Sequence, residues 1–156
     1  MRELTGRPTV RNIRAGDKAQ WLQLWERYNE FYGRSGASAL PAEITDLTWS
    51  RFFDPDEPVE ALVACAEGQL LGLAHYIFHR STTAAGHVCY LQDLFTRQDQ
   101  RGRGIARLLI ENVCAKARKA GAHRLYWQTH HTNEVARILY DKVAEDSGFI
   151  VYRITL

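Results

Sequence analysis

Gln100-Arg101-Gly102-Arg103-Gly104-Ile105-Ala106 decides how this chain is read, because it joins a strand-like run to a helix-like one. Upstream, Cys89-Tyr90-Leu91-Gln92-Asp93-Leu94-Phe95-Thr96 is short, apolar and aromatic. Downstream, Ile105, Leu108, Leu109 and Val113 recur at helical spacing. Two glycines at such a junction allow a backbone path that side chains would obstruct. They also leave amide N–H groups pointing outward where the helix begins. The first four N–H groups of a helix lack internal partners, and the helix dipole places roughly half a positive charge there. Phosphate binds at such a place. The same run also reads as a plain tight turn before a surface helix. It is neither of two familiar phosphate loops: the Gly-Lys-Ser/Thr ending of a P-loop is absent, and Arg107 stands where the dinucleotide fingerprint needs a small residue.

Further along stand Asn133-Glu134-Val135-Ala136-Arg137-Ile138-Leu139-Tyr140 and then Gly148-Phe149. With this second segment in place, Arg101 to Ala106 resembles the Arg/Gln-x-x-Gly-x-Gly/Ala signature of the GCN5-related N-acetyltransferases. Tyr90-Leu91-Gln92-Asp93-Leu94-Phe95 is similar to that family's central strand, nearest the branch of diamine, small histone and D-amino-acid acetyltransferases. The close resemblance covers Cys89 to Phe149. It implies a mixed α/β sheet, mostly antiparallel, whose central strands splay apart to admit acetyl-CoA, with helices on its flanks.

The resemblance also implies site residues. Loop amides of Arg101, Gly102, Arg103, Gly104, Ile105 and Ala106 would hold the pyrophosphate of acetyl-CoA. The backbone N–H of Leu94 would be the oxyanion donor, with Phe95 and Thr96 along the pantetheine arm. Asn133 would open the second cofactor helix, although Asn is also a good N-cap in its own right. Tyr140 would be the general acid toward the departing sulfur; a phenol of pKa near ~10 is protonated at neutral pH. Tyr140 also shares a helical stripe with Ala136 and Val143, as a core tyrosine would.

The proton acceptor is less defined. An alkylamine of pKa near ~10.4 is almost wholly charged at pH 7 and must lose a proton before attack. Where the diamine branch commonly carries Glu, this chain has Gln92, which cannot take one up. Asp93 is the catalytic candidate if its strand face lines the cleft, strict alternation placing it opposite Gln92. A water relayed by Glu134, His130 or His131 is another route, and the two histidines also read as ordinary loop residues. His75 and His79 read as packing residues, and no metal-ligand spacing is present.

Composition sets the bounds. The 156 residues suit one domain, residues 1–156, with a sizeable core. A net charge of +2 is too small to argue for nucleic acid or an anionic membrane, although Arg97, Arg101, Arg103 and Arg107 gather at the loop. Cys65, Cys89 and Cys114 form neither a disulfide framework nor a metal pattern. With no leader-like or membrane-spanning segment, the expectation is a cytoplasmic protein.

The remaining pattern predicts a strand over 9–13 and a helix N-capped by Asp17 with Trp21, Leu24, Trp25, Tyr28 and Phe31 on one stripe. A mobile polar loop over 33–38 and a second helix from Pro41 follow. A hairpin over 60–78 turns at Glu67-Gly68-Gln69, and the central strand spans 87–96. A helix over 103–120 with Gly121 as its C-cap comes next, then strands over 124–130 and 149–154 around the Asn133 helix, which residues 141–147 lengthen by about a turn. These elements give an α/β class. The function implied is transfer of acetyl from acetyl-CoA to a primary amine, a small molecule or an exposed lysine, by direct attack in a ternary complex. A non-catalytic acyl-CoA sensor is the alternative that Gln92 keeps open. A homodimer is implied by analogy with the same branch.

Overall fold

The apolar runs on either side of Glu67-Gly68 fold into a hairpin, and the sheet grows outward from it. The structure, a computed structural model, describes residues 5–156. Glu67 and Gly68 both take positive φ, 50° and 76°, the backbone of a two-residue turn whose twist matches the strands it joins. Strands β2 (Val59–Ala66) and β3 (Gln69–His79) pair antiparallel across it. On the outer side β1 (Thr9–Asn12) pairs with β2, and on the inner side β4 (Val88–Thr96) pairs with β3, both antiparallel. Strand β5 (Arg124–Tyr126) joins β4 in parallel, completing a five-stranded sheet in the order β1-β2-β3-β4-β5.

Successive residues of β2 point to opposite faces and both faces are covered from Ala61 onward, so the strand is apolar from Ala61 to Ala66. Ala61 and Val63 meet Trp21, Leu24, Trp25 and Tyr28 of helix α1 (Lys18–Phe31). Trp49 and Phe52 pack on that layer from α2 (Ala42–Arg51) and the turn after it. Leu62 and Ala64 face the other way, with Leu109, Ile110 and Val113 of helix α3 (Ile105–Lys119). Gly72 sets the approach of α3. A Cβ there would lie 2.6 Å from the Phe95 carbonyl, 3.2 Å from Ile105 and 3.3 Å from Leu109. Its absence lets the first turn of α3 sit down on the sheet beside the end of β4. At the far end Gly121 (φ 75°) takes the left-handed position. The Gly121 and Ala122 amides donate to Arg118 and Ala117 carbonyls, a Schellman ending at the glycine expected to close the helix.

Helix α4 (Glu134–Val143) lays Leu139, Tyr140 and Val143 against the α3-side core and leaves Val135 and Ile138 exposed. No helix among the described residues is long and apolar enough to cross a membrane.

Several expectations are corrected. Residues 149–154 form no strand, and Phe149 and Ile154 are 90% and 86% exposed; an apolar run alone makes no strand until it bonds to an edge. The strand expected over 124–130 pairs only through Tyr126. Helix α3 begins at Ile105, because left-handed Gly104 occupies its N-cap. Helix α4 ends at Val143, and the residues after it add no turn. Asp17 makes no side-chain cap. Its carboxylate accepts instead from Arg11 at 2.7 and 2.9 Å and from the Arg14 amide at 2.8 Å. Arg11 accordingly holds the Asp17 carboxyl below its ordinary range. Phe31 is on the solvent side of α1.

Candidate active site

Strands β4 and β5 run side by side only at Val88, Cys89 and Tyr90, and beyond Tyr90 β4 has no partner on that side. The splay follows from β5 being three residues long against nine for β4. Which backbone groups face the gap follows from the other edge. The Arg97 amide donates to the Leu71 carbonyl at 2.8 Å, fixing 97/71 as a hydrogen-bonded pair. In an antiparallel ladder such pairs alternate, so Phe95/Leu73 and Asp93/His75 are bonded pairs too. The N–H and C=O of Leu94 and Thr96 therefore point away from β3, into the opening. The Thr96 hydroxyl is also buried without a hydrogen-bond partner, and buried polar atoms of that kind are uncommon.

A bulge re-aims the centre of β4. Register passes from His75↔Asp93 to Tyr76↔Leu91, leaving Gln92 as the extra residue. Cys89 and Leu91 pack toward α3, while Asp93 and Phe95 lie on the α1 side. Asp93 is buried there, and its Oδ2 is 2.9 Å from His75 Nδ1. The Trp21 indole N–H donates to His75 Nε2 at 3.0 Å. An indole nitrogen only donates, so Nε2 is the acceptor and Nδ1–H of the neutral ring points at Asp93. His75 is thus no mere packing residue; its register opposite Asp93 in the β3–β4 pairing was the signal for this pair.

Tyrosines from α1, its C-cap and β4 feel the charge of Asp93. Burial, then Asp93, pushes the Tyr28 phenol far above its ordinary range. Tyr32 is raised by burial and then Asp93, with Arg34 opposing. Tyr90 is raised by burial, then Tyr126, then Asp93. Across the gap, Tyr140 packs edge-on against Trp127 with ring centroids 5.4 Å apart. Burial pushes its phenol up to about 12, and Tyr32 adds to the push. The Tyr140 hydroxyl makes no hydrogen bond among the described residues. Tyr32, a residue the sequence reading did not single out, feels the charge of Asp93 and itself adds to the raising of Tyr140.

The glycine loop adjoins the other end of β4. Gly102 (φ 77°) and Gly104 (φ 74°) are both left-handed, which a Cβ would strain. Helix α3 has no side-chain cap, and its first internal bond runs from the Leu108 amide to the Gly104 carbonyl. The six amides from Gly102 to Arg107 consequently have no acceptor among the described residues. A Cβ built on Gly104 meets nothing within 4 Å, so the space over the loop is open. The arginines divide. Arg97 is tied to Asp99 at 2.6 and 2.9 Å, Arg107 to Glu111 at 2.9 Å, and Arg103 to Gln100 and to the Gly6 carbonyl. Arg101 alone of the four has no side-chain partner among the described residues.

Asn133 holds the N-cap position of α4 but does not cap; its Nδ2 donates to Thr129 Oγ1 at 3.1 Å. His130 and His131 stack on one another at the surface, His130 bonding Thr132, and Glu134 is exposed. Nothing joins these three to Asp93 or Tyr140. Among the described residues no three His, Cys, Asp or Glu side chains are grouped to hold a metal.

The sequence profile of the acetyltransferase (GNAT) family matches residues 20–144. The D-amino-acid N-acetyltransferase HPA3 of Saccharomyces cerevisiae is 32% identical over 149 residues, covering 94% of this chain and 90% of that protein. The uncharacterized N-acetyltransferase YhfO of Bacillus subtilis is 28% identical, covering 92% and 94%. Among solved structures, AAC(6')-Iy in complex with the bisubstrate analog CoA-S-monomethyl-acetylneamine superposes with a TM-score of 0.80. It covers 96% of this chain and 99% of that one at 16% identity, a likeness of fold.

Proposed function

We propose, on the premise that the chain belongs to the acetyltransferase (GNAT) family and is an N-acetyltransferase, that it passes acetyl from acetyl-CoA to a primary amine by direct attack with both bound. The observation that carries the reading is the row of six unpartnered amides beside the end of β4, where β4 itself offers unpaired backbone. Acetyl-CoA, when bound, supplies an activated acyl thioester. The residues present fit it. Arg101 to Ala106 would hold its pyrophosphate on main-chain N–H groups at a helix start, with the Arg101 guanidinium, unpaired among the described residues, nearby. The exposed edge of β4 from Leu94 through Phe95 to Thr96, and Asn133 across the gap, would take the pantetheine amides.

Each step of acyl transfer then has a group in this chain. The Leu94 N–H stabilises negative charge on the acyl oxygen, a service typically worth about a hundred- to a thousandfold in rate. Asp93 attracts the ammonium form of the acceptor and takes its proton, while His75 Nδ1–H keeps the carboxylate oriented. Tyr140 stays protonated because its pKa is high, and donates toward the departing sulfur. A sensor without catalysis would have no use for a half-buried acid at Tyr140 whose hydroxyl bonds to nothing among the described residues.

The relative's acceptor, a D-amino acid, favours a small-molecule amine over a lysine on a protein surface. The direct test is thiol release from acetyl-CoA with a panel of amines, amino acids included. Transfer to at least one member is expected; cofactor binding without turnover on any would contradict the proposal. Asp93→Asn is expected to lower kcat/KM for the amine by about two to four orders of magnitude, the usual worth of a proton-transfer group. Acetyl-CoA affinity is expected to hold within a few-fold. Full activity in this variant would remove Asp93 from the proton path.

We also propose a homodimer in the cytoplasm, where Cys65, Cys89 and Cys114, all free, stay reduced. Each chain carries a bare run of strand-forming residues, Phe149-Ile150-Val151-Tyr152, and a bare outer edge on β5. Two copies can satisfy both reciprocally, closing the assembly by two-fold symmetry. Sedimentation is expected to give twice the chain mass, and deletion of residues 149–156 to give a monomer. A monomeric full chain at micromolar concentration would contradict this.

A further inference from the structure

The loop after α1 holds an arginine that is rigid yet unpaired. Helix α1 ends in a second Schellman motif: the Gly33 and Arg34 amides donate to the Glu30 and Asn29 carbonyls at 3.0 and 2.8 Å. Left-handed Gly33 makes that ending affordable. The motif fixes the backbone of Arg34, and its side chain is fixed independently. Arg34 Nε–H donates to Asn29 Oδ1 at 2.6 Å. Asn29 is itself buried and anchored, donating through Nδ2 to the Trp25 carbonyl at 2.8 Å. The guanidinium lies over two rings at once, 5.7 Å from the centroid of Tyr28 and 5.4 Å from that of Tyr32.

A guanidinium held this way usually has a carboxylate within reach. Arg34 has none: its two terminal nitrogens make no hydrogen bond or ion pair among the described residues. They form a planar fork with four N–H donors, the geometry that grips a carboxylate with two parallel bonds. The fork borders the site already described. Tyr28, one of the two rings beneath it, meets Phe95 edge-on at 6.2 Å, two residues along β4 from Asp93, and after burial the Asp93 charge raises the phenols of Tyr28 and Tyr32. The guanidinium over these rings and the buried Asp93 carboxylate are not paired with each other. That arrangement complements a small molecule carrying both charges.

We propose that Arg34 binds the carboxylate of the acceptor while Asp93 receives its ammonium group, so that the preferred acceptors are amino acids with a free α-carboxylate. The inference rests on the reading of this protein as an acetyltransferase for primary amines, and it adds the residue that selects among them. Arg34 touches only the part of the acceptor remote from the reacting nitrogen. It is a specificity residue, and it takes no part in proton movement.

The test compares D-alanine with D-alaninamide, which differ only in the carboxylate, for the intact enzyme and for Arg34→Met and Arg34→Lys. The ratio of kcat/KM for acid over amide is the readout, since it cancels changes common to both acceptors. A charged hydrogen-bonded contact is worth about ten- to a hundredfold. The ratio is expected to fall by that factor in Arg34→Met and by less in Arg34→Lys, with acetyl-CoA affinity retained in both. An unchanged ratio in Arg34→Met overturns the proposal, as does a loss of acetyl-CoA affinity that would place Arg34 on the cofactor. Transfer to the amide but not the acid by the intact enzyme overturns it while sparing the amine acetyltransferase reading. Transfer to no amine, with acetyl-CoA bound, defeats both.

Discussion

Tyr140→Phe is expected to cut turnover by about two to four orders of magnitude while leaving acetyl-CoA affinity within a few-fold. The substitution removes one oxygen atom and keeps the ring that packs on Trp127. The Tyr140 hydroxyl bonds to no other group among the described residues, so its loss breaks no structural contact, and the melting temperature is expected to hold. The pH profile gives a second readout. Burial, helped by Tyr32, pushes the Tyr140 phenol up to about 12, so the acid form persists through the whole neutral and mildly alkaline range. The rate of the intact enzyme should therefore rise with pH as the amine loses its proton, with no decline near pH 10, where an ordinary phenol would ionise. Unchanged turnover in Tyr140→Phe with a good acceptor would remove Tyr140 from the chemistry. A decline centred near pH 10 would show instead that the phenol titrates normally.

Gly104→Val is expected to reduce acetyl-CoA affinity at least a hundredfold. Gly104 is the N-cap of α3 at φ 74°, a conformation costing a β-branched residue about 1–2 kcal/mol. Its Cβ direction meets no protein atom within 4 Å, so the valine methyls would project into open space over the loop and leave the core undisturbed. Ligand phosphate is what they would displace. Gly104→Ala separates the two effects: it bears most of the backbone strain with a smaller side chain, and is expected to bind more weakly than the intact protein but more tightly than the valine variant. Calorimetry with acetyl-CoA measures all three. Full affinity in Gly104→Val would show the phosphate site to lie elsewhere.

The parts legible in the sequence are those fixed by local chemistry. Glycines at Gly68, Gly102, Gly104 and Gly121 each sit where positive φ is required, so the hairpin and the C-terminal end of α3 could be placed from residue types, whereas its start, expected at Arg103, lies at Ile105. The family resemblance supplied the splay, and it corresponds to β5 pairing only through Tyr126. The misses share a different cause, since each depends on a long-range partner. Strict alternation placed Asp93 opposite Gln92, and no local signal marks the bulge that turns Asp93 toward α1. Asp17 has the composition of a cap but is claimed by Arg11, six residues earlier on β1. His75 reads as a core histidine until the register sets it against Asp93 and the α1 layer brings Trp21 to its other nitrogen. Arg34 falls in a polar loop that composition marks as mobile, yet Asn29 and two tyrosine rings hold it. Segment 149–154 has the residue types of a strand but bonds to no edge in its own chain.

The geometry of the glycine loop bears the most weight, because everything proposed for Leu94, Asp93 and Tyr140 assumes where the thioester is held. Amide proton and nitrogen shifts followed during titration with coenzyme A test it residue by residue. Saturable shifts are expected for the amides of Gly102 to Arg107, together with those of Leu94 and Thr96 on the open edge of β4. If these amides stay unmoved while coenzyme A binds and shifts another set, the loop does not hold the cofactor and the account is wrong.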